Sequence, residues 1–447
     1  MKKPATLFLF LIILMSFSCS KSSDDEVENN NSSVYSNANQ LLFDGQAYIN
    51  RLDGFKAKNE NGIFIAKQNL GENFVTVSFL NFQTNQLNTI QINGDIDVHH
   101  YYLDQSGDLL ISGTVFSSSN VNSGRVFAIR LNDSLNVVWQ KKYDFYSLPY
   151  YDSYYYNSIS NIKNNKLVVC NMQWMFIIDA TTGLLIKAIE NNTTYHWLRN
   201  VAVPDGFYAF GRLGSDAIIA KFDWQGNIVF IKKAPDTRPD ALLTSSVPII
   251  TSTDKIIWPY NTFQYNATGL GGYMVFDLNG NLIDHWNHQF SIDNNQVGTN
   301  FSPGGISIEE FGLNKYYLRG LITYSINEEG QLLSNKYHQG SVFSQSTGNF
   351  LQFQSQGSVV TQSEYIGVFN YNPNQICTKI SIADLNFLNY NIDLIPYNFT
   401  DVSGFSVSDF MVDVTDLNIS IVTQQLVNVT YQDKDYCNVD LIEKLNR

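Results

Sequence analysis

One short pattern recurs along the chain and limits what it can fold into: an apolar strand, a tight turn opened by Asn or Asp, and a second apolar strand. The clear copies are VFAIRLNDSLNVVWQKKY, MFIIDATTGLLIKAI, AIIAKFDWQGNIVFIKKA, YMVFDLNGNLIDHW and LITYSINEEGQLLSNKY. FVTVSFLNFQTNQLNTIQI and YIGVFNYNPNQICTKISI are weaker ones. The turns open at Asn81, Asn132, Asp179, Asp223, Asp277, Asn327 and Asn370, so successive copies start 43 to 54 residues apart. An Asn or Asp side chain there bonds the backbone two residues on, and Gly183, Gly226, Gly280 and Gly330 supply a positive φ without a steric clash. Helical periodicity is nearly absent, and short apolar runs alternate with Asn, Gly and Asp turns, which argues an all-β chain.

Upstream of several hairpins lies a further strand pair, as in YYLDQSGDLLISG and VAVPDGFYAFG. Four antiparallel strands per repeat is the make-up of a propeller blade. The expected fold is a single closed β-propeller over residues 40–447, built of four-stranded antiparallel blades. Counting hairpins favours eight blades, with seven as the alternative; two packed β-sandwich domains are a different solution to the same strand pattern. QLLFDGQAYINRL (Gln40 to Leu52) is β-prone but has no hairpin of its own, and the chain stops soon after Asn446 with no returning strand. The N-terminal strand is therefore expected to complete the last blade and close the ring, which removes free sheet edges. The interval from Asn370 to Asn446 is longer than the other spacings and implies an irregular blade.

The repeats resemble those of quinoprotein-like (PQQ-repeat-like) β-propellers, whose blades carry an Asp-x-x-Gly turn followed by an aromatic. Trp139 and the DATTG segment at Asp179 are the nearest matches. The quinone-dependent dehydrogenases of that group carry adjacent cysteines and a calcium-binding acid cluster. Neither is present, so the resemblance implies the fold and no cofactor.

The N-terminus reads as an address. MKK precedes LFLFLIILMSFS (Leu7 to Ser18), an apolar run of twelve residues. That is too short to span a bilayer, which takes about 20 residues, and it fits the core of a secretory signal. Ser18 followed by Cys19 resembles the lipobox of bacterial lipoproteins, which implies removal of residues 1–18 and acylation of Cys19. Residues 19–39, rich in Ser, Asn and acids, read as a flexible tether. Lys21 followed by Asp24, Asp25 and Glu26 resembles the export signal of surface-displayed lipoproteins in one Gram-negative phylum. Outer membrane, anchored by lipid and facing outward, is the expected location. The net charge of -13 makes nucleic acid a poor partner.

The remaining cysteines add little. Cys170 in LVVCNM is expected to be a small buried thiol, while Cys377 and Cys437 could pair or stay free. None has zinc spacing.

The candidate working surface follows from topology. In a four-stranded blade, the link from the fourth strand to the next blade lies opposite the repeated turn, on the face where propellers bind ligands. The stretch YDFYSLPYYDSYYYN (Tyr143 to Asn157) falls in such a link. Tyr150, Tyr151, Tyr154, Tyr155 and Tyr156 offer flat rings with hydroxyl handles, suited to sugars or to a protein partner. The alternative is that they pack over the neighbouring blade. His196 and Trp197, in the following link region, complete the candidate set.

All six histidines (His99, His100, His196, His285, His288 and His338) are expected near outer-strand ends or in links. His285 and His288 form an HxxH, but strand positions three apart face opposite sides, so no metal site is expected. Glu309 and Glu310 in ISIEEF could put a carboxylate towards a central tunnel. GxSxG, HExxH, P-loop and dinucleotide motifs are absent from the sequence. The expected function is non-catalytic binding of a glycan or a protein. The rivals are an extracellular glycan-active enzyme and a structural component of a secretion or uptake complex.

Overall fold

The repeated turn is built by the side chain that opens it. In the computed structural model, Asp223 Oδ1 accepts the amides of Gln225 at 2.9 Å and Asn227 at 2.8 Å. Asp277 does the same with Asn279 at 2.9 Å and Asn281 at 2.8 Å. Partial burial opposes ionisation of both carboxyls, but these hydrogen bonds prevail and hold them below the usual aspartate range. At Asn132 the same cage bonds Ser134 at 3.0 Å and Asn136 at 2.8 Å. There Leu135 takes the left-handed position, φ 64°, where the other turns use glycine, and its side chain is buried in the core. The backbone strain, about 1–2 kcal/mol, is offset by apolar burial of similar size.

The structure describes most of residues 39–433, including the continuous stretches 86–115, 123–146, 157–191, 196–213, 216–234, 247–262, 271–292 and 399–424. Among the described residues there is no helix, and the strands form seven antiparallel sheets. We number them I to VII in chain order. Sheet I holds Ile49–Lys56, Gly62–Asn69, Phe74–Asn81 and Gln86–Asn93. Sheet II holds Ile96–Leu103, Leu109–Val115, Ser123–Leu131 and Val137–Tyr146. Sheet III holds Asn157–Ile159, Lys166–Asn171, Trp174–Asp179 and Leu185–Asn191. Sheet IV holds His196–Val203, Gly206–Leu213, Asp216–Asp223 and Ile228–Ala234. In sheet V, Leu242–Leu243 and Ile249–Ile250 flank Lys255–Thr262, followed by Gly271–Asp277 and Leu282–Ile292. Sheet VI has Ser307–Gly312, Lys315–Arg319 and Tyr324–Asn327. Sheet VII has Ser341–Phe343, Asn349–Ser358, Thr361–Asn370 and, beside the last of these, the N-terminal strand Asn39–Phe43.

Apolar side chains from facing sheets make one core per gap. Val77, Ile90, Val98 and Ile129 fill the gap between sheets I and II. Tyr143, Phe145, Trp174 and Phe176 fill that between II and III, and Val168, Trp197, Phe207 and Phe222 that between III and IV. Phe210, Trp258, Met274 and Phe276 lie between IV and V. Ile49–Lys56 of sheet I touches both the first strand of sheet II and strands of sheet VII, so the first and last sheets are neighbours. Neighbouring sheets also lock through the turns: a Cβ on Gly280 would collide with the Phe230 ring of the preceding sheet.

Three expectations change. Seven sheets are described where counting hairpins favours eight, because Thr361–Asn370 does not turn back at Asn370. Its second neighbour is Asn39–Phe43, in register from Asn39↔Val368 to Phe43↔Glu364. Only the first part of the Gln40 to Leu52 stretch takes this role; Ile49–Lys56 opens sheet I instead. The long interval after Asn370 is not an irregular blade but a belt. Leu385–Tyr390 pairs with the outer strand of sheet V, Thr400–Asp401 with that of IV, Val407–Asp409 with III, and Asp413–Asp416 with II. Ser420–Thr423 then pairs with sheet I, and Gln432–Asp433 with the N-terminal strand of sheet VII. Most sheets therefore carry a fifth strand rather than the expected four.

Between its short strands the belt drops apolar side chains into the gaps. Phe399 packs between sheets IV and V, Phe405 between III and IV, Phe410 between II and III, and Ile419 between I and II. Lys187–Asp409 at 3.0 Å and Lys141–Asp416 at 2.5 Å add ion pairs at matching places on successive sheets. Their aspartates are largely exposed, which limits each pair to about 0–1 kcal/mol. The apolar plugs carry the affinity and the ion pairs assist the register.

Candidate ligand-binding face

The tyrosine link joins the outer strand of sheet II to the first strand of sheet III. Tyr150, Tyr151, Tyr154, Tyr155 and Tyr156 lie outside the described residues, so what can be read is the frame that holds the link. On the sheet II side, Phe145 is buried against Trp174 at 4.8 Å, Phe176 at 5.5 Å and the belt residue Phe410 at 5.8 Å between ring centroids. On the sheet III side the chain re-enters at Asn157, which is fully buried. Its Nδ2 donates to the Gly113 carbonyl at 2.5 Å, and Asn171 Nδ2 donates to its Oδ1.

Strand Asn157–Ile159 has a strand partner on one side only. Buried amides on its other edge would be orphaned, at a cost of about 1–3 kcal/mol each. Two histidines of sheet II remove that cost: the Asn157 amide donates to His99 Nδ1 and the Ile159 amide to His100 Nδ1, both at 3.1 Å. From sheet IV, Asn200 Nδ2 donates to the Ser158 carbonyl at 3.3 Å. Accepting at Nδ1 puts the proton of His99 on Nε2, which lies 3.2 Å from Asp97 Oδ2.

These two histidines therefore depart from expectation. They sit in Ile96–Leu103, the first strand of sheet II, and they hold backbone rather than await a ligand. His285 and His288 lie on the outer strand of sheet V, opposite Met274 and Gly271, and His338 is outside the described residues. Among the described residues no three His, Cys, Asp or Glu side chains gather as metal ligands. Cys170 is fully buried, as expected, and burial pushes its thiol up to about 12. Cys377 and Cys437 lie outside the described residues.

The other two candidates separate. Trp197 is not an open ring: it is 0% exposed and packs edge-on against Phe222 at 5.9 Å and Phe405 at 6.2 Å. A bulge between Trp197 and Arg199 shifts the register there. His196, one residue earlier, is half-buried and stands opposite Arg212 on the next strand. Desolvation, and then the Arg212 charge, push its pKa down, which keeps the imidazole neutral at pH 7.

Glu310 is committed elsewhere. Its carboxylate accepts the Ser252 amide at 2.7 Å and the Ser252 hydroxyl at 2.6 Å, tying sheet VI to sheet V. Of Glu309 only the backbone is described, paired with Tyr317.

No family model matches the chain, and no curated protein matches it in sequence. The functional argument therefore rests on geometry. Sequence reasoning found the link but missed its anchors: Asn157, Asn171, Asn200 and the two histidines are polar residues in apolar strands. The only signal was their density in NSISN and HH. Arg212 carries no motif at all.

Proposed function

We propose that the seven sheets are the blades of a closed propeller, carried outside the cell on an acylated Cys19, which captures an extracellular glycan without catalysis. The binding surface is the face that carries the interblade links. Contact between sheets I and VII, and the N-terminal strand completing sheet VII, support the ring.

The observation that carries the binding reading is the frame of the tyrosine link. Both ends are immobilised in buried, fully bonded settings, so ligand binding would not have to order them. A tyrosine also loses little conformational entropy on contact and offers a flat apolar face with a polar rim. Rigidly held rings are suited to stack on sugars. The glycan-active alternative loses its best residue, since Glu310 is held by Ser252.

Replacing Tyr150, Tyr151 and Tyr154 together by Ala in the intact chain tests this. Retention of immobilised surface glycans should fall at least about tenfold, the loss of one or more stacking contacts, with an unchanged unfolding midpoint. Undiminished capture by the triple variant would remove this face as the site.

A further inference from the structure

The gap between sheets IV and V ends, at the link face, in a cationic pair. Arg212 lies on the side of sheet IV that faces sheet V: Phe210, two residues earlier on the strand, and Ala217, directly across from it, both belong to the core of that gap. His196 stands opposite Arg212 on the other neighbouring strand. Cross-strand partners of this kind have Cβ atoms about 4.5–5.5 Å apart. Among the described residues neither side chain has a hydrogen bond or a carboxylate partner.

A second observation comes from sheet V. Trp258 is 0% exposed, its ring packs on Phe210 at 5.1 Å between centroids, and its indole Nε1 finds no acceptor among the described residues. It occupies the layer below Arg212. A buried donor without an acceptor is costly, and here it lies next to a guanidinium in the same condition. Donors without acceptors are complementary to an anion. In a chain of net charge -13, an acidic ligand is repelled over most of the surface and needs such a local exception.

We propose that the mouth of the gap between sheets IV and V is an anion site, in which Arg212, His196 and the indole N–H of Trp258 receive the carboxylate of an acidic sugar. This rests on the link-face reading and specifies it: the glycan is a uronic-acid type. The tyrosine link leads into sheet III and His196 opens sheet IV, so the two places sit on neighbouring sheets at the same end. An oligosaccharide could touch the rings with one residue and the cations with another.

The test titrates the full-length protein with hexagalacturonate and with its methyl ester. The acid should bind and the ester should bind at least about tenfold more weakly, the usual effect of a lost charge-assisted contact. Arg212→Gln should bring the acid down to the ester's affinity while leaving the ester's own affinity unchanged, and Arg212→Lys should restore part of the difference. Raising the salt concentration should weaken the acid alone. Equal affinity for acid and ester, no binding of the acid, or preference for an acidic peptide over the acid would each overturn the anion site. The acid–ester comparison uses the unaltered protein, so it decides even if a variant misfolds. If the anion site fails but the triple tyrosine variant still loses glycan capture, the link-face reading stands. If that variant also keeps its capture, both fall.

Discussion

Trp197→Ala should lower the free energy of unfolding by about 3–5 kcal/mol, the cost of deleting a large buried aromatic. Nothing of this ring reaches solvent; Phe222 and Phe405 cover it from sheet IV and from the belt. Its amide also donates to the Met172 carbonyl of sheet III at 2.9 Å, so the residue joins two sheets through ring and backbone. Trp197→Phe should recover more than half of the loss, because it keeps an aromatic in the same pocket. Urea unfolding of the intact chain gives the answer. A Trp serving as an exposed ligand platform would behave in the opposite way, losing binding and leaving stability unaltered. An unchanged midpoint for Trp197→Ala would therefore show that the ring is not in the core.

Phe410→Ala should cost about 2–3 kcal/mol, less than a fully buried ring because this one is half-covered. Its ring meets Phe145 and Phe176 edge-on, each at 5.8 Å, and closes the gap between sheets II and III from outside. The belt strands around it are two to six residues long. Such short strands gain little from their ladders alone, so the plugs must supply most of the hold. The comparison that isolates this is Asp416→Asn, which removes the partner of Lys141 and should cost no more than about 1 kcal/mol. Proteolysis should also reach residues 399–424 of the Phe410→Ala protein sooner than those of the unaltered one. Equal effects of the two substitutions would mean that ion pairs, not plugs, hold the belt.

Much of the fold was legible because its signals are local. An Asp or Asn bonding amides two and four residues ahead writes the turn into five consecutive letters, and strands on both sides alternate visibly. The belt was illegible for the converse reason. TDVSGFSVSDFMVDVTDLNISIVT has no hairpin turns, and its partners lie far away in sequence, as Lys141 does from Asp416. Counting hairpins then assigned Asn370 to a turn that never forms. The same limit applied to the site. Chain order placed the tyrosine link between two sheets, but whether Trp197 faces out depends on a bulge one residue beyond it. His99 and His100 looked like ligands waiting to be used, whereas a strand with an open edge needed their Nδ1 atoms.

Hydrogen exchange of the full-length protein with and without a captured glycan tests the link-face claim most directly. Slowed exchange should appear in residues 147–156 and at His196, with the Asp277–Asn281 turn on the opposite face unaffected. Protection confined to the repeated turns, with the tyrosine link exchanging at the same rate in both states, would contradict it.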